Sequence, residues 1–214
     1  MSVALPPWTS NSIPFTRNWP LHIMIGIFVA YSVWMAISPT DRMQWYANNL
    51  PLFALILLLA FTYKRYRFSN LSYFMMLIFF CLHVYAGHYT YEATPFDHWL
   101  KRIVHTKRSY YDRIVHFGFG LFISYPFREF LDRCMTYRRI WSYALPVILV
   151  MCFSGWFEIV EWLAAEAFGR GGQAEFIGMQ GDLFDTQKDM VLGLIGALAA
   201  MGANYFIARK RKHP

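Results

Sequence analysis

An aspartate and a histidine four residues apart open the run Tyr111-Asp112-Arg113-Ile114-Val115-His116-Phe117-Gly118, whose apolar character continues to Phe130. On a helix, positions four apart share one face. A carboxylate and an imidazole at the mouth of a membrane helix are costly to place there and usually serve a purpose. Three other stretches offer similar groups: His83 and His88; Glu158 and Glu161; and Asp182, Asp185 and Asp189. Glu158 and Glu161, three apart, share a helix face, and the three aspartates line one stripe if their segment is helical. Carboxylates gathered together repel, so they need protons, Arg or Lys partners, or a metal ion. Nearby histidines suit Zn²⁺ or Mn²⁺, and oxygen-rich ligation suits Mg²⁺. A metal beside an Asp or His base would activate water against an ester.

The chain that must position these groups has 214 residues, 57% hydrophobic and only 15% charged, with a mean hydropathy of +0.28. A soluble domain would carry about 25% charge. Apolar runs near the ~20 residues that cross a bilayer predict an all-α polytopic membrane bundle of about six helices, forming one integral domain over residues 1–214. The spans are expected at roughly 21–37, 50–63, 71–91, 110–131, 141–167 and 186–208. Aromatics make up 20% and include 8 Trp, which suits interfacial belts. The net charge of +7 does not point to nucleic acid, because the basic residues sit in short loops between apolar runs. The expected contacts are membrane lipids.

Six spans put both termini on one side. With the termini inside, twelve Lys and Arg fall on the cytoplasmic side and eight on the other, so the positive-inside rule places both termini in the cytoplasm. In that frame His83 and His88 lie in the outer half of span three, and Asp112 and His116 in the first turns of span four. Glu158 lies 17 residues past Trp141, about 25 Å along a helix, and the three aspartates enter span six from outside. Four segments thus deliver ionisable groups to one level. More ordinary roles stand beside this one: ion pairs between helices, His83 as a hydrogen-bonded core residue, and Asp182 as a helix cap.

Lesser signals are structural. Gly118 and Gly120, and the stretch Gly193-Leu194-Ile195-Gly196-Ala197 with Ala200, predict close helix packing. The loop Gly169–Gly172 lacks the Lys-Ser/Thr of a phosphate loop. Cys81, Cys134 and Cys152 form no CxxC pair and read as small buried residues. The polar, Pro-containing N-terminus has no signal-peptide pattern, and Arg209-Lys210-Arg211-Lys212 reads as a topology anchor.

Together, His83-Val84-Tyr85-Ala86-Gly87-His88-Tyr89-Thr90-Tyr91, Tyr111–Phe117, Glu158-Ile159-Val160-Glu161-Trp162 and Gly181–Met190 resemble the YjdF-like family. That resemblance implies a small bacterial inner-membrane protein and supplies no reaction. Asp-x-x-x-His-Phe, then a Glu-bearing helix, then spaced Asp residues is more distantly similar to the VanZ-like proteins, associated with tolerance of teicoplanin; Glu161 stands where that pattern has Gln.

The expectation is a metal-dependent membrane hydrolase acting on a lipid or lipid-linked headgroup at the outer leaflet. Asp112, His116, Glu158 and His88 are the candidate catalytic groups. His116, Glu158, Glu161, Asp182, Asp185, Asp189 and His83 are the candidate metal ligands, and Arg102, Lys107, Arg108 and Arg113 are candidates to receive a phosphate. The alternatives are a proton-coupled permease and a non-catalytic protein that holds an envelope lipid or antibiotic.

Overall fold

The computed structural model describes residues 7–91, 93–105, 108–168 and 182–210. Lys107, the Gly169–Gly172 loop, and Arg211 and Lys212 of the basic tail lie outside them. The described residues form seven α-helices and no strand. They group into two compact units, Met1–Thr90 and Tyr91–Pro214.

The first unit holds α1 (Trp19–Ala36), α2 (Arg42–Thr62) and α3 (Asn70–His88). Each begins with a polar cap: the Asn18, Asp41 and Ser69 side chains accept from the backbone N–H of Leu21, Gln44 and Ser72, satisfying donors that a helix start leaves unpaired. α1 and α3 run in the same direction. At their starts, the buried Asn18 amide donates to Asn70 Oδ1 at 2.8 Å. At their ends, Thr40 N–H donates to the His88 carbonyl at 3.0 Å, and His88 Nδ1 lies 2.7 Å from the Met35 carbonyl. α2 meets α3 closely at Gly87, where a Cβ would come within 2.9 Å of Asn49 Nδ2.

α2 starts eight residues before the expected span. Arg42–Asn49 was too polar to read as membrane helix, and Pro51 read as a start. Asp41 caps the helix earlier, and Pro51 sits inside it, which a membrane helix tolerates when the freed backbone groups are satisfied by neighbours.

The second unit holds α4 (Pro95–Val104), α5 (Tyr111–Cys134), α6 (Trp141–Phe168) and α7 (Asp185–Lys210). α5 and α7 run in parallel, with α6 packed against both. The seam between α5 and α7 depends on glycine. A Cβ on Gly120 would overlap the Gly193 carbonyl, and one on Gly196 would overlap the Phe117 carbonyl. The backbones therefore touch, as the small residues predict. α4 occupies the stretch that reads as a polar loop. Its Thr94 hydroxyl caps Asp97 N–H at 3.0 Å, and Asp97, with no solvent exposure, accepts from Tyr110 N–H at 2.6 Å and Tyr111 N–H at 3.2 Å. One buried carboxylate thereby fixes the entry to α5.

Five helices (α1, α2, α3, α6 up to Leu163, and α7) are long and apolar enough to cross a membrane. α5 has 24 residues, about 36 Å of helix, but carries charges at both ends. Large side chains such as Ile23, Trp34, Leu58, Phe61, Trp156 and Trp162 are exposed along these helices. That pattern is unfavourable in water and natural against lipid.

Candidate functional site

The site lies where α5 and α7 begin and α6 approaches its end. Turn spacing puts Asp112 and His116 on one stripe of α5, facing Glu158 on α6. His116, 5% exposed, has its Nε2 3.3 Å from Glu158 Oε1 and 3.7 Å from Asp112 Oδ1. Both are ion-pair distances, longer than the ~2.7–3.2 Å of an N–H···O hydrogen bond. Glu158 is buried and also accepts from the Thr186 side chain on α7. The Phe157 ring stands edge-on to His116 at 5.8 Å. The result is an imidazole between two carboxylates, one buried and hydrogen-bonded, the other half-exposed.

Beside this group stands a set of ion pairs. Arg108 bonds Asp182 at 2.7 Å and also bonds Asp185. Arg113 lies 3.0 Å from Asp182 and 3.3 Å from Asp185, with its guanidinium over the Tyr110 ring. Lys188 lies 2.7 Å from Asp182. Asp182 lies three residues ahead of the helix and accepts from Phe184 N–H, a turn contact made before the helix rather than a cap on its own N–H groups. Its carboxyl is held down to about 2 by the hydrogen bond from Lys188, with Phe184 N–H and the Lys188 and Arg108 charges adding to it. Bonds to the charged form of an acid have that effect.

Asp189, one turn further in and 3% exposed, is matched less well. Its Oδ1 lies 3.8 Å from Arg113 Nε, too far for a hydrogen bond, and among the described residues neither atom has another hydrogen-bond partner. One turn below Glu158, the buried Ser154 hydroxyl also lacks a partner. It points toward Gly193, where a Cβ would come within 2.9 Å of it.

The structure thus brings Asp112, His116 and Glu158 together, and gathers Arg108, Arg113, Asp182, Asp185 and Asp189. Glu161 lies nearer the α6 end and acts on Tyr91, a residue the sequence reading left out. Burial pushes the Tyr91 hydroxyl well above its usual range, with the Asp112 and Glu161 charges adding to the effect. Thr90 and Tyr91 both have left-handed backbone, at φ 57° and 63°, each costing of order 1–3 kcal/mol in a non-glycine residue. Nothing in residue type or spacing signals such a turn. Lys188 and Thr186 were also missed, since each reads as an ordinary helix residue.

Other candidates have partners of their own. His83 and His88 belong to the first unit. His83 Nε2 is 2.9 Å from the Asn48 carbonyl, and His88 holds the end of α1 as described. Arg102 is exposed on α4. Among the described residues, no three His, Cys, Asp or Glu side chains are arranged to hold one ion. Arg108 and Arg113 are committed to carboxylates. Next to them, a groove of about 360 Å³ is lined by Arg113, Gln187, Lys188, Val191 and Leu192.

Residues 20–210 match the family described as Predicted membrane protein (DUF2238). The chain belongs to that family. It is 33% identical over 178 residues to the inner membrane protein YjdF of Escherichia coli (strain K12), covering 83% of each chain. This agrees with the resemblance drawn from the motifs. No solved structure matches.

Proposed function

We propose that this protein is a membrane-embedded hydrolase acting on a lipid or lipid-linked headgroup at the outer leaflet of the bacterial inner membrane, with both termini in the cytoplasm. The observation that carries the reading is the buried His116 held by Glu158 with Asp112 alongside. If Nε2–H donates to Glu158, Nδ1 is the acceptor, and the carboxylate fixes the tautomer. Nδ1 then takes a proton from water while the water oxygen bonds to the ester carbon or phosphorus. The departing alkoxide recovers that proton from the imidazolium, which Glu158 stabilises meanwhile. The shallow groove beside Arg113 and Lys188, walled by Val191 and Leu192, offers an apolar surface for the acyl part of such a substrate. The inner-membrane location follows the relative, and the inside termini rest on counting α5 as a sixth crossing beside the five apolar helices and on the balance of basic residues. A bound divalent metal gains no support from the donor arrangement, so no step is routed through one.

The test is product release from phospholipids and lipid-linked sugars by the protein in nanodiscs, read by mass spectrometry with and without chelator. His116→Ala should lose ~10²–10⁴-fold, and Glu158→Gln should lose less. Turnover that survives His116→Ala, or none across the panel, overturns the proposal. A proton-coupled permease is the second reading. It is favoured by the buried Asp189 oxygen without a hydrogen bond and by Ser154 one turn deeper, since intramembrane carboxyls relay protons. Proton flux into liposomes that Asp189→Asn abolishes would select it.

A further inference from the structure

α4 has two unlike sides. At 100° per residue, Phe96, Trp99, Leu100, Ile103 and Val104 fall in one sector, and His98, Lys101 and Arg102 fall opposite. Its Asp97 edge is locked to the start of α5 by the hydrogen bonds already described, and Phe96 meets Tyr111 edge-on at 6.1 Å. Yet Trp99, Ile103 and Val104 are 56%, 58% and 60% exposed. Ten residues make about 15 Å of helix, far too short to cross a bilayer.

We propose that α4 lies flat in the headgroup layer, with its Trp99–Ile103–Val104 face covered by phospholipid and its basic side meeting anionic headgroups. Three observations favour lipid over a protein partner. The helix sits in the chain between α3 and α5, so a membrane surface is always within reach. Tryptophan beside aliphatic residues is the composition of the interfacial layer. Arg102, exposed on the opposite side of the helix, complements negative headgroup charge. The consequence goes beyond hydrolysis: through Asp97, the depth of α4 sets the depth at which α5 begins, and so the level of Arg108, Asp112 and Arg113.

The test uses the full chain with Cys81, Cys134 and Cys152 replaced by Ser and reconstituted in nanodiscs. A nitroxide is placed at Trp99→Cys, Ile103→Cys, His98→Cys or Arg102→Cys. Expected is greater collision with oxygen than with a water-soluble nickel chelate at 99 and 103, and the reverse at 98 and 102. Labels at 99 and 103 should sink further when phosphatidylglycerol is added to phosphatidylcholine. Free access of the nickel chelate at 99 and 103 overturns the proposal, as does shielding from both relaxants, which would mean a protein cover. A second measurement keeps the native cysteines. Interfacially brominated lipid should quench less total tryptophan fluorescence in Trp99→Phe than in wild type, and equal quenching overturns the proposal. Neither readout depends on turnover, so the hydrolase reading can fail while this one stands.

Discussion

The three long helices of the second unit carry a polar cluster at each end, built on opposite principles. Where α5 leaves the unit and α6 begins, Arg128 is the hub. Its Nε lies 3.0 Å from Ser142 Oγ and 3.4 Å from Asp132, its guanidinium covers the Tyr143 ring at 4.3 Å, and another nitrogen reaches Asn204 on α7. Asp132 in turn accepts from Tyr137 at 2.7 Å and Ser142 at 3.0 Å. One cation and one carboxylate are surrounded by neutral donors and acceptors. At the other end, Asp112, Glu158, Asp182, Asp185 and Asp189 outnumber Arg108, Arg113 and Lys188, and a buried oxygen is left without a hydrogen bond. The first cluster ties three helices together. The second sets five carboxyls against three cations and the His116 imidazole, a crowding of ionisable groups that the first lacks.

Breaking each end in turn should expose the difference. The largest effect is expected at Arg113. Arg113→Ala leaves Asp182 and Asp185 to Arg108 and Lys188 and takes the guanidinium away from buried Asp189, a loss of ~3 kcal/mol or less, since the removal of one partner costs ~3–5 kcal/mol only where the pair is fully buried. Unfolding in mild detergent measures it. Asp189→Asn in the same chain should recover part of the loss if charge imbalance is the cause; no recovery would mean that Arg113 acts through packing on Tyr110.

Next comes the seam between the ends. Gly120→Ala drives a methyl into the Gly193 carbonyl and must part α5 from α7, at ~1–3 kcal/mol. Because the helices separate along their length, both clusters should loosen together. A crosslink between α5 and α7 at each end would then form more slowly than in wild type, and slowing at one end alone would show that the ends are independent.

Arg128→Ala should cost less, about 1 kcal/mol. Its ion pair is partly exposed, where such pairs contribute ~0–1 kcal/mol, and the contact with Tyr143 adds ~0.5–1 kcal/mol. Activity in the nanodisc assay should be kept. Loss of turnover without loss of fold would mean that this end also belongs to the functional machinery.

The uneven legibility of the two ends has a physical cause. Membrane spans follow from apolar runs, and the α5–α7 seam follows from glycines on one face, because both depend on local composition. Turn spacing put Asp112 and His116 on one face, and depth put Glu158 at their level; the pairing of His116 with Glu158 came from the structure. The partner of each charge was not legible. Arg108 and Arg113 read as phosphate receptors because nothing in the sequence says that they fold onto Asp182 and Asp185. His83 and His88 each meet a backbone carbonyl, a partner that residue type and spacing do not announce. α4 escaped notice because ten residues with a one-sided apolar sector average to polar over a membrane-length window. Tyr91 escaped because its place depends on two left-handed residues that no motif announces.

The smallest expected effect separates the ends by pH. Asp182 is held down to about 2 from an ordinary 3.8, through the bond from Lys188 first. A lowered carboxyl contributes stability that is present above the ordinary value and is lost as pH falls through the folded one, so the site end should weaken between about 4 and about 2. Tyr137 shifts the other way. Burial first, and then its hydrogen bond to Asp132, raise its hydroxyl above the usual tyrosine range. Its contribution is present below the ordinary tyrosine value near 10 and is lost as pH rises past it. Melting curves across pH should therefore show a shallow acid limb that Asp182→Asn flattens and a shallow alkaline limb that Tyr137→Phe flattens, with neither variant touching the other limb. If Asp182→Asn moved the alkaline limb as well, the two ends would be coupled through the α5–α7 seam, and the clamp would have to be counted as part of the site.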